Sequence, residues 1–454
     1  MKYAKRIMAL ALACLIMFSL VPPVTAQAAT SVFSDVGTSH KYYKEIMFLY
    51  NNGIFTGKTT TKFAPDDTIL REQMVTVLWR IAGEPVVNAR VNFTDNTNST
   101  TYYHQALRWA KATGVSDGYA DGTFGVGKAM THQEVIQFLA NFAVKIVKRS
   151  TAADMQNTAA VSGFSTYSWG KGTLNWAIKN KLINASQNPE FKKANNSCTR
   201  GSTALILYNF YKQFRKTYAL VASTTDAYTG MPNPNLDYMV AALNKYMVRG
   251  TSAKKDNSIS SQSGLTTAFN NTFGSATCID VCYFYINSHG RSDGLTRGNP
   301  RKVWLYPQDL YNMISKYSAK FVVMIDACQT ENFTGYFATN KSKADLICSA
   351  KECLSSTAKF IDTSSATTAV ASYCWASALD GDASVSYRQS GDKYVAVSIK
   401  FSGDSDGFIS IKELYETTRC AIKNIAENTA YYAQTIGYYS PSNQPAYCAF
   451  GILD

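Results

Sequence analysis

Two textures divide this chain. Up to about residue 211 the apolar positions fall three and four apart, in short runs such as Tyr42–Tyr50 (YYKEIMFLY) and Met74–Ile81 (MVTVLWRI). That spacing predicts amphipathic helices, and Gly-rich stretches between them predict breaks. From Thr217 the apolar residues run continuously over short lengths: Thr217–Ser223 (TYALVAS), Tyr283–Ile286 within YFYINSHG, and Phe321–Ile325 within FVVMIDACQT. Runs of this kind suit strands covered on both faces. Ala366–Cys374 reads as a fourth strand, and Asp237–Met247 and Pro307–Ser318 as helices between strands. Such alternation predicts an α/β sandwich, a mostly parallel sheet flanked by helices. Gly250–Gly264 is small and polar and predicts an exposed, mobile loop.

The first 29 residues read differently again. Lys2, Lys5 and Arg6 precede an apolar run from Ile7 to Leu20, then Pro22-Pro23 and small residues. This is the pattern of a secretory leader, too short in its apolar part to favour a span. Three of the +13 formal charges lie in it, leaving +10. A basic balance suits an anionic polymer as partner. The charge is dispersed, with no Lys/Arg block, which argues against nucleic acid. Nine cysteines remain beyond the leader. Export permits disulfides, and the odd total leaves at least one thiol unpaired, for which Cys328 is the candidate.

The helical half repeats at about sixty residues. The first copy carries FSDV (33–36), NNGIFTG (51–57) and KFAPDDTILREQM (62–74); the second carries NFTD (92–95), ATGVSDG (112–118) and GTFGVGKAMTHQEV (122–135). The third is degraded: GFS at Gly163, then NKLINAS and EFKKANNSCTRGSTALIL. This half resembles a triplet of S-layer homology domains, all-α helix-loop-helix repeats, over residues 30–86, 87–150 and 151–214. The resemblance implies anchoring to an anionic secondary cell-wall polysaccharide on a Gram-positive-type envelope. It also implies that the stretches Ile69–Glu72, Met130–Glu134 and Cys198–Gly201 offer a basic side chain to that polymer: Arg71, His132 and Arg200. His132 departs from the pattern, since imidazole lacks the planar fork that a guanidinium presents to a carboxylate. Capping of the second helix of each unit is the other reading of these residues.

The chemistry lies in residues 215–454. Two of the apolar runs end in reactive side chains, His289 after the first and Cys328 after the second. Ligands bind at the carboxyl ends of parallel strands, so neighbouring strands would set an imidazole beside a thiol. His289-Gly290 ending one strand, Asp326-Ala327-Cys328 ending the next, and an opening Ala-Leu-Val strand together resemble the caspase-like cysteine peptidases. That clan holds caspases, metacaspases, legumain, clostripain and gingipain. The resemblance implies a caspase-like sandwich, a Cys328 nucleophile with His289 as its base, and an oxyanion hole from the backbone N–H groups of Gly290 and Cys328. It further implies that Asp326 lines the substrate pocket and favours Lys or Arg before the scissile bond, with Asp237 as a second pocket acid. Gln329-Thr330 follow the cysteine where many relatives carry a glycine, a departure that bears on the turn.

Ser402–Glu413 (SGDSDGFISIKE) is similar to a calcium-binding loop, with Asp404, Asp406 and Glu413 as metal ligands but Ser402 at its first position. The other reading is a turn, Asp406–Ser410, that caps a helix beginning near Ile411. The dyad chemistry itself requires no cofactor. The expectation is therefore a secreted, wall-anchored endopeptidase acting on a protein or peptide substrate, with no membrane span in the mature chain. The rival is a non-enzymatic wall protein whose second half is an interaction module.

Overall fold

The computed structural model describes residues 32–88, 91–225, 234–248, 251–298, 300–348, 360–362, 367–380, 384–389, 393–398, 409–428, 437–440 and 448–450. The leader, Asp404 and Asp406 lie outside the described residues. No helix among those described is long and apolar enough to cross a membrane.

The repeats form three helix pairs: α1 (Tyr43–Asn51) with α2 (Arg71–Ile81), α3 (His104–Thr113) with α4 (His132–Phe142), and α5 (Lys171–Lys179) with α6 (Arg200–Phe214). They share one core, to which Leu49, Leu78, Leu107, Leu139, Trp176 and Leu207 belong. The units close on one another through a cyclic set of backbone bonds. Met130 N donates to Ile69 O (3.0 Å), Cys198 N to Met130 O (2.8 Å), and Ile69 N to Cys198 O (3.0 Å). A second ring runs in the opposite sense: Arg71 N to Lys128 O, His132 N to Asn196 O and Arg200 N to Asp67 O. The degraded third copy is thus a full partner in a pseudo-threefold arrangement. Its loop differs in detail. Asp35 accepts from Phe63 N and Ala64 N, and Asp95 from Phe124 N, Gly125 N and Val126 N. The third unit has Phe164-Ser165-Thr166 there and joins its ends by backbone bonds, Ser165 N to Lys192 O and Asn195 N to Ser165 O.

In the second half, β1 (Thr217–Thr224), β2 (Lys254–Ile259), β3 (Val281–Asn287), β7 (Lys320–Asp326) and β8 (Asp345–Cys348) are parallel, in the order β8-β7-β3-β1-β2. Gly437–Tyr439 adds an antiparallel strand beside β8. Side chains alternate across the pleat into two cores. Val221, Tyr283, Tyr285, Val322 and Met324 meet α7 (Pro234–Asn244), α11 (Val370–Asp380) and α12 (Ile411–Asn428). Cys282, Phe284, Ile286, Val323 and Ile325 meet α8 (Gln262–Phe273), α9 (Pro307–Ile314) and α10 (Glu331–Thr339). Both faces are covered, which is why β3 is buried along its whole length.

Three expectations are corrected. Residues 254–259 are not loop but β2, an edge strand facing solvent along most of its length, so it has no apolar pattern to read. Ala366–Cys374 supplies no strand to the parallel sheet. Among the described residues, Thr367–Ala369 pairs antiparallel with Phe360–Asp362 apart from the main sheet, and α11 follows, burying Cys374, Trp375, Ala378 and Leu379 at helical spacing. The strand that does follow β7 is β8, four residues long and too short to stand out. Finally, His289 lies in a small antiparallel sheet of β4 (His289–Arg291), β5 (Gly294–Arg297) and β6 (Lys302–Leu305), set beyond the end of β3.

The halves meet at a buried ion pair. Arg149 reaches both carboxylate oxygens of Asp280 (2.6 and 2.5 Å) and also donates to Phe214 O. Asp280 further accepts from Lys216 N and Thr277 N. Lys343 Nζ donates to Gly83 O across the same junction.

Candidate functional site

β3 and β7 run in register, Asn287 beside Asp326, so their carboxyl ends lie level. Ser288 N donates to Asp326 O (3.1 Å) and Asn287 Nδ2 approaches the same oxygen (3.4 Å), which pins the two exits together. Two residues further on stand Gly290 and Cys328. A β-carbon on Gly290 would lie 1.9 Å from Cys328 O and 3.0 Å from Cys328 N, so only glycine allows this approach. The structure therefore brings the His289-Gly290 and Cys328 backbones into contact at the carboxyl edge of a parallel sheet.

The cysteine turn is made without glycine. Gln329 takes a left-handed φ of 54°, and α10 begins two residues later. A non-glycine residue held there stores strain, a feature concentrated at functional sites. Among the described residues six cysteines, Cys328 included, lie outside any disulfide. Burial pushes the thiols of Cys198, Cys278, Cys348 and Cys374 up to about 12, and that of Cys282 well above its ordinary value. Cys328 is only half-buried, at the rim.

Arg301, which sequence reasoning passed over, has Nη2 3.4 Å from His289 Nε2. A guanidinium can only donate, so this contact makes Nε2 an acceptor and belongs to the neutral ring. A second proton on the ring requires Arg301 to swing away, which its exposure permits. No sequence signal marks it except its place in a basic turn, Arg297–Lys302. Asp326 is buried at the end of β7. Asp237 is elsewhere: its exposed carboxylate pairs with Lys255 Nζ (2.5 Å), and Lys255 is level with Val221 in mid-sheet. As a pocket acid it is corrected to a surface ion pair. Glu413 accepts from Ser410 N (2.7 Å) while Ser410 Oγ accepts from Glu413 N (3.1 Å), the reciprocal cap of α12. Among the described residues no group of three or more metal-ligating side chains forms.

In the repeats, each candidate side chain leaves its own helix for the next unit. Arg71 donates to Phe124 O (3.0 Å) and pairs with Glu134 (3.3 Å), its guanidinium 4.7 Å from the centre of the Tyr119 ring. Arg200 donates to Phe63 O and Thr56 O (both 2.9 Å), between the rings of Phe55 and Phe63. His132 packs edge-on to Phe191, 5.4 Å between centroids. The helix caps are Thr131 and Thr199, not these residues. The uncharged position therefore falls between the second and third units, where burial pulls the His132 pKa down. Beside Arg200 opens a cleft of about 360 Å³, lined also by Thr56, Lys58, Gln73, Arg80 and Tyr102. Three cationic side chains in one cleft suit an anionic group.

Residues 32–75 and 92–136 match the S-layer homology domain family. A stretch of 110 residues is 30% identical to an endoglucanase of Bacillus sp. (strain KSM-635). That stretch is 23% of this chain and 12% of the endoglucanase, and it falls in the repeats. The N-terminal half thus carries two S-layer homology domains, which point to attachment at the cell surface or cell wall. The structure adds a third unit of the same build.

Proposed function

We infer that the protein is a wall-anchored cysteine endopeptidase. The observation that supports this is the approach of Gly290 to the Cys328 backbone, which brings the segments bearing His289 and Cys328 together at the carboxyl edge of the sheet. His289 takes the thiol proton and Cys328 sulfur attacks the peptide carbonyl. The oxyanion is received by the N–H groups of Gly290 and Cys328. His289 returns its proton to the leaving amine, and the acyl-enzyme remains. Water then gives His289 a proton and attacks the acyl carbon, and the C–S bond breaks to release the acid. Buried Asp326 supplies a carboxylate that favours Lys or Arg before the cut. The cleft beside Arg200 holds an acidic residue of the wall polysaccharide.

The test is a peptide library incubated with the purified protein, with Cys328→Ala and His289→Ala alongside. Cleavage after Lys or Arg is expected, with each variant losing it by roughly 10³-fold or more while keeping its circular dichroism. Undiminished cutting by Cys328→Ala would remove the dyad. Absence of cutting, together with no labelling of Cys328 by iodoacetamide, would favour a non-enzymatic interaction module.

A further inference from the structure

A second cleft, of about 470 Å³, lies between the two halves. One wall comes from the first repeat unit, at Ile54, Arg80 and Gly83. The other comes from the amino ends of β3 and β7, at Val281 and Lys320. Its charge is lopsided. Arg80, Arg215, Lys320, Lys341 and Lys343 line it, against Glu84 and Asp280. Asp280 is already matched by Arg149, and Lys320 sits 3.6 Å from the Asp345 carboxylate. Four cations then remain against Glu84. Arg215 is nine-tenths buried, and although its guanidinium reaches Tyr283, its Nε has no hydrogen-bond partner among the described residues. A buried donor in that state calls for an acceptor.

This cleft shares the Arg80 side chain as a wall with the one beside Arg200. The Arg80 guanidinium reaches both Ile54 O (3.5 Å) and Thr56 Oγ1 (3.2 Å). Ile54 lines the junction cleft, Thr56 lines the other, and Arg80 lines both.

We propose that the junction cleft is a second binding site for the acidic wall polymer, taking an oxyanion-bearing residue of a chain that continues past Arg80 from the cleft beside Arg200. The proposal rests on the anchoring reading above. A chain bound in this way touches both halves and braces the junction.

The test is calorimetric titration of the full-length protein with purified acidic wall polysaccharide, and separately with inorganic phosphate. Lys341→Glu/Lys343→Glu alters only the junction cleft; Lys58→Glu alters only the other. Each should weaken polymer binding about tenfold, as reversed charges at a polar interface do. Hydrogen exchange in residues 277–281 and 315–321 of the unaltered protein should slow when polymer is added. If Lys58→Glu weakens binding but the junction variant does not, and exchange is unchanged, anchoring stands and the junction site is overturned. If neither variant weakens binding, the anchoring reading falls. Phosphate binding at the junction as tightly as polymer would also overturn the proposal, since it would leave the continuous chain no role.

Discussion

Gly290 and His132 each turn a backbone or burial constraint into a measurable property. At Gly290 the missing β-carbon is what lets two loops touch, so Gly290→Ala must move Cys328 O, 1.9 Å from where that atom would sit. A displacement of about 1 Å between reacting groups costs on the order of 100-fold. We expect Gly290→Ala to lower kcat/KM on a Lys- or Arg-containing peptide by that much, with the melting curve little changed. His132 is a matter of linkage. Burial holds its imidazole below the usual value, the Glu190 charge and the nearby Asn196 and Lys193 backbone pulling weakly the other way. The unfolded chain therefore binds the proton more readily than the folded one. Stability is full above about pH 6.5 and falls as the pH drops below it toward the lowered folded value. His132→Gln removes that slope. Its melting temperature should fall less than that of the unaltered protein between about pH 7 and 5.5, and equal slopes would show that His132 does not titrate on unfolding.

At the level of elements, the repeat half and the sheet half are locked by Arg149 and Asp280. The Asp280 carboxylate is fully buried, and Arg149 is 12% exposed. Removing the cation leaves Asp280 with the Lys216 and Thr277 N–H groups and the Thr277 hydroxyl, all neutral donors. Breaking a buried pair from one side costs about 3–5 kcal/mol. Arg149→Ala should therefore lower the melting temperature of the sheet half, read by scanning calorimetry, and separate it from that of the repeats. A single unchanged transition would show that the pair contributes little. The third unit illustrates the same scale. It has lost the loop aspartate of its neighbours, yet the ring of backbone bonds through Cys198 keeps its place.

Seen whole, the molecule has two poles. The repeats dock at the amino ends of β3 and β7, beside Val281 and Lys320, whereas Gly290 and Cys328 sit past the carboxyl ends. Seven-residue strands at about 3.3 Å per residue separate them by roughly 20 Å. The candidate catalytic edge thus points away from whatever surface the repeats hold. Protein adsorbed on isolated walls should hydrolyse a short soluble peptide with the same kcat as protein in solution. A large drop on adsorption would show that the wall covers the edge.

Much of this was legible in the chain. The three-and-four spacing announced α1 to α4, and the continuous apolar runs announced β1, β3 and β7, because helix faces and doubly covered strands leave their period in the sequence. His289 and Cys328 were legible as residues ending two such runs. The rest depends on partners distant in the chain. β2 is an edge strand with a charged, exposed face, so it carries no apolar pattern, and β8 is too short to display one. Arg301 reaches His289 across a small sheet, and Asp237 is drawn to Lys255 by proximity that spacing does not encode. Local pattern determined α1 to α4, β1, β3 and β7, and singled out His289 and Cys328 as candidates. Tertiary structure decided which unit each of Arg71, His132 and Arg200 enters, and that Arg80 stands between two clefts. Those are contacts between surfaces that meet only after the chain has folded.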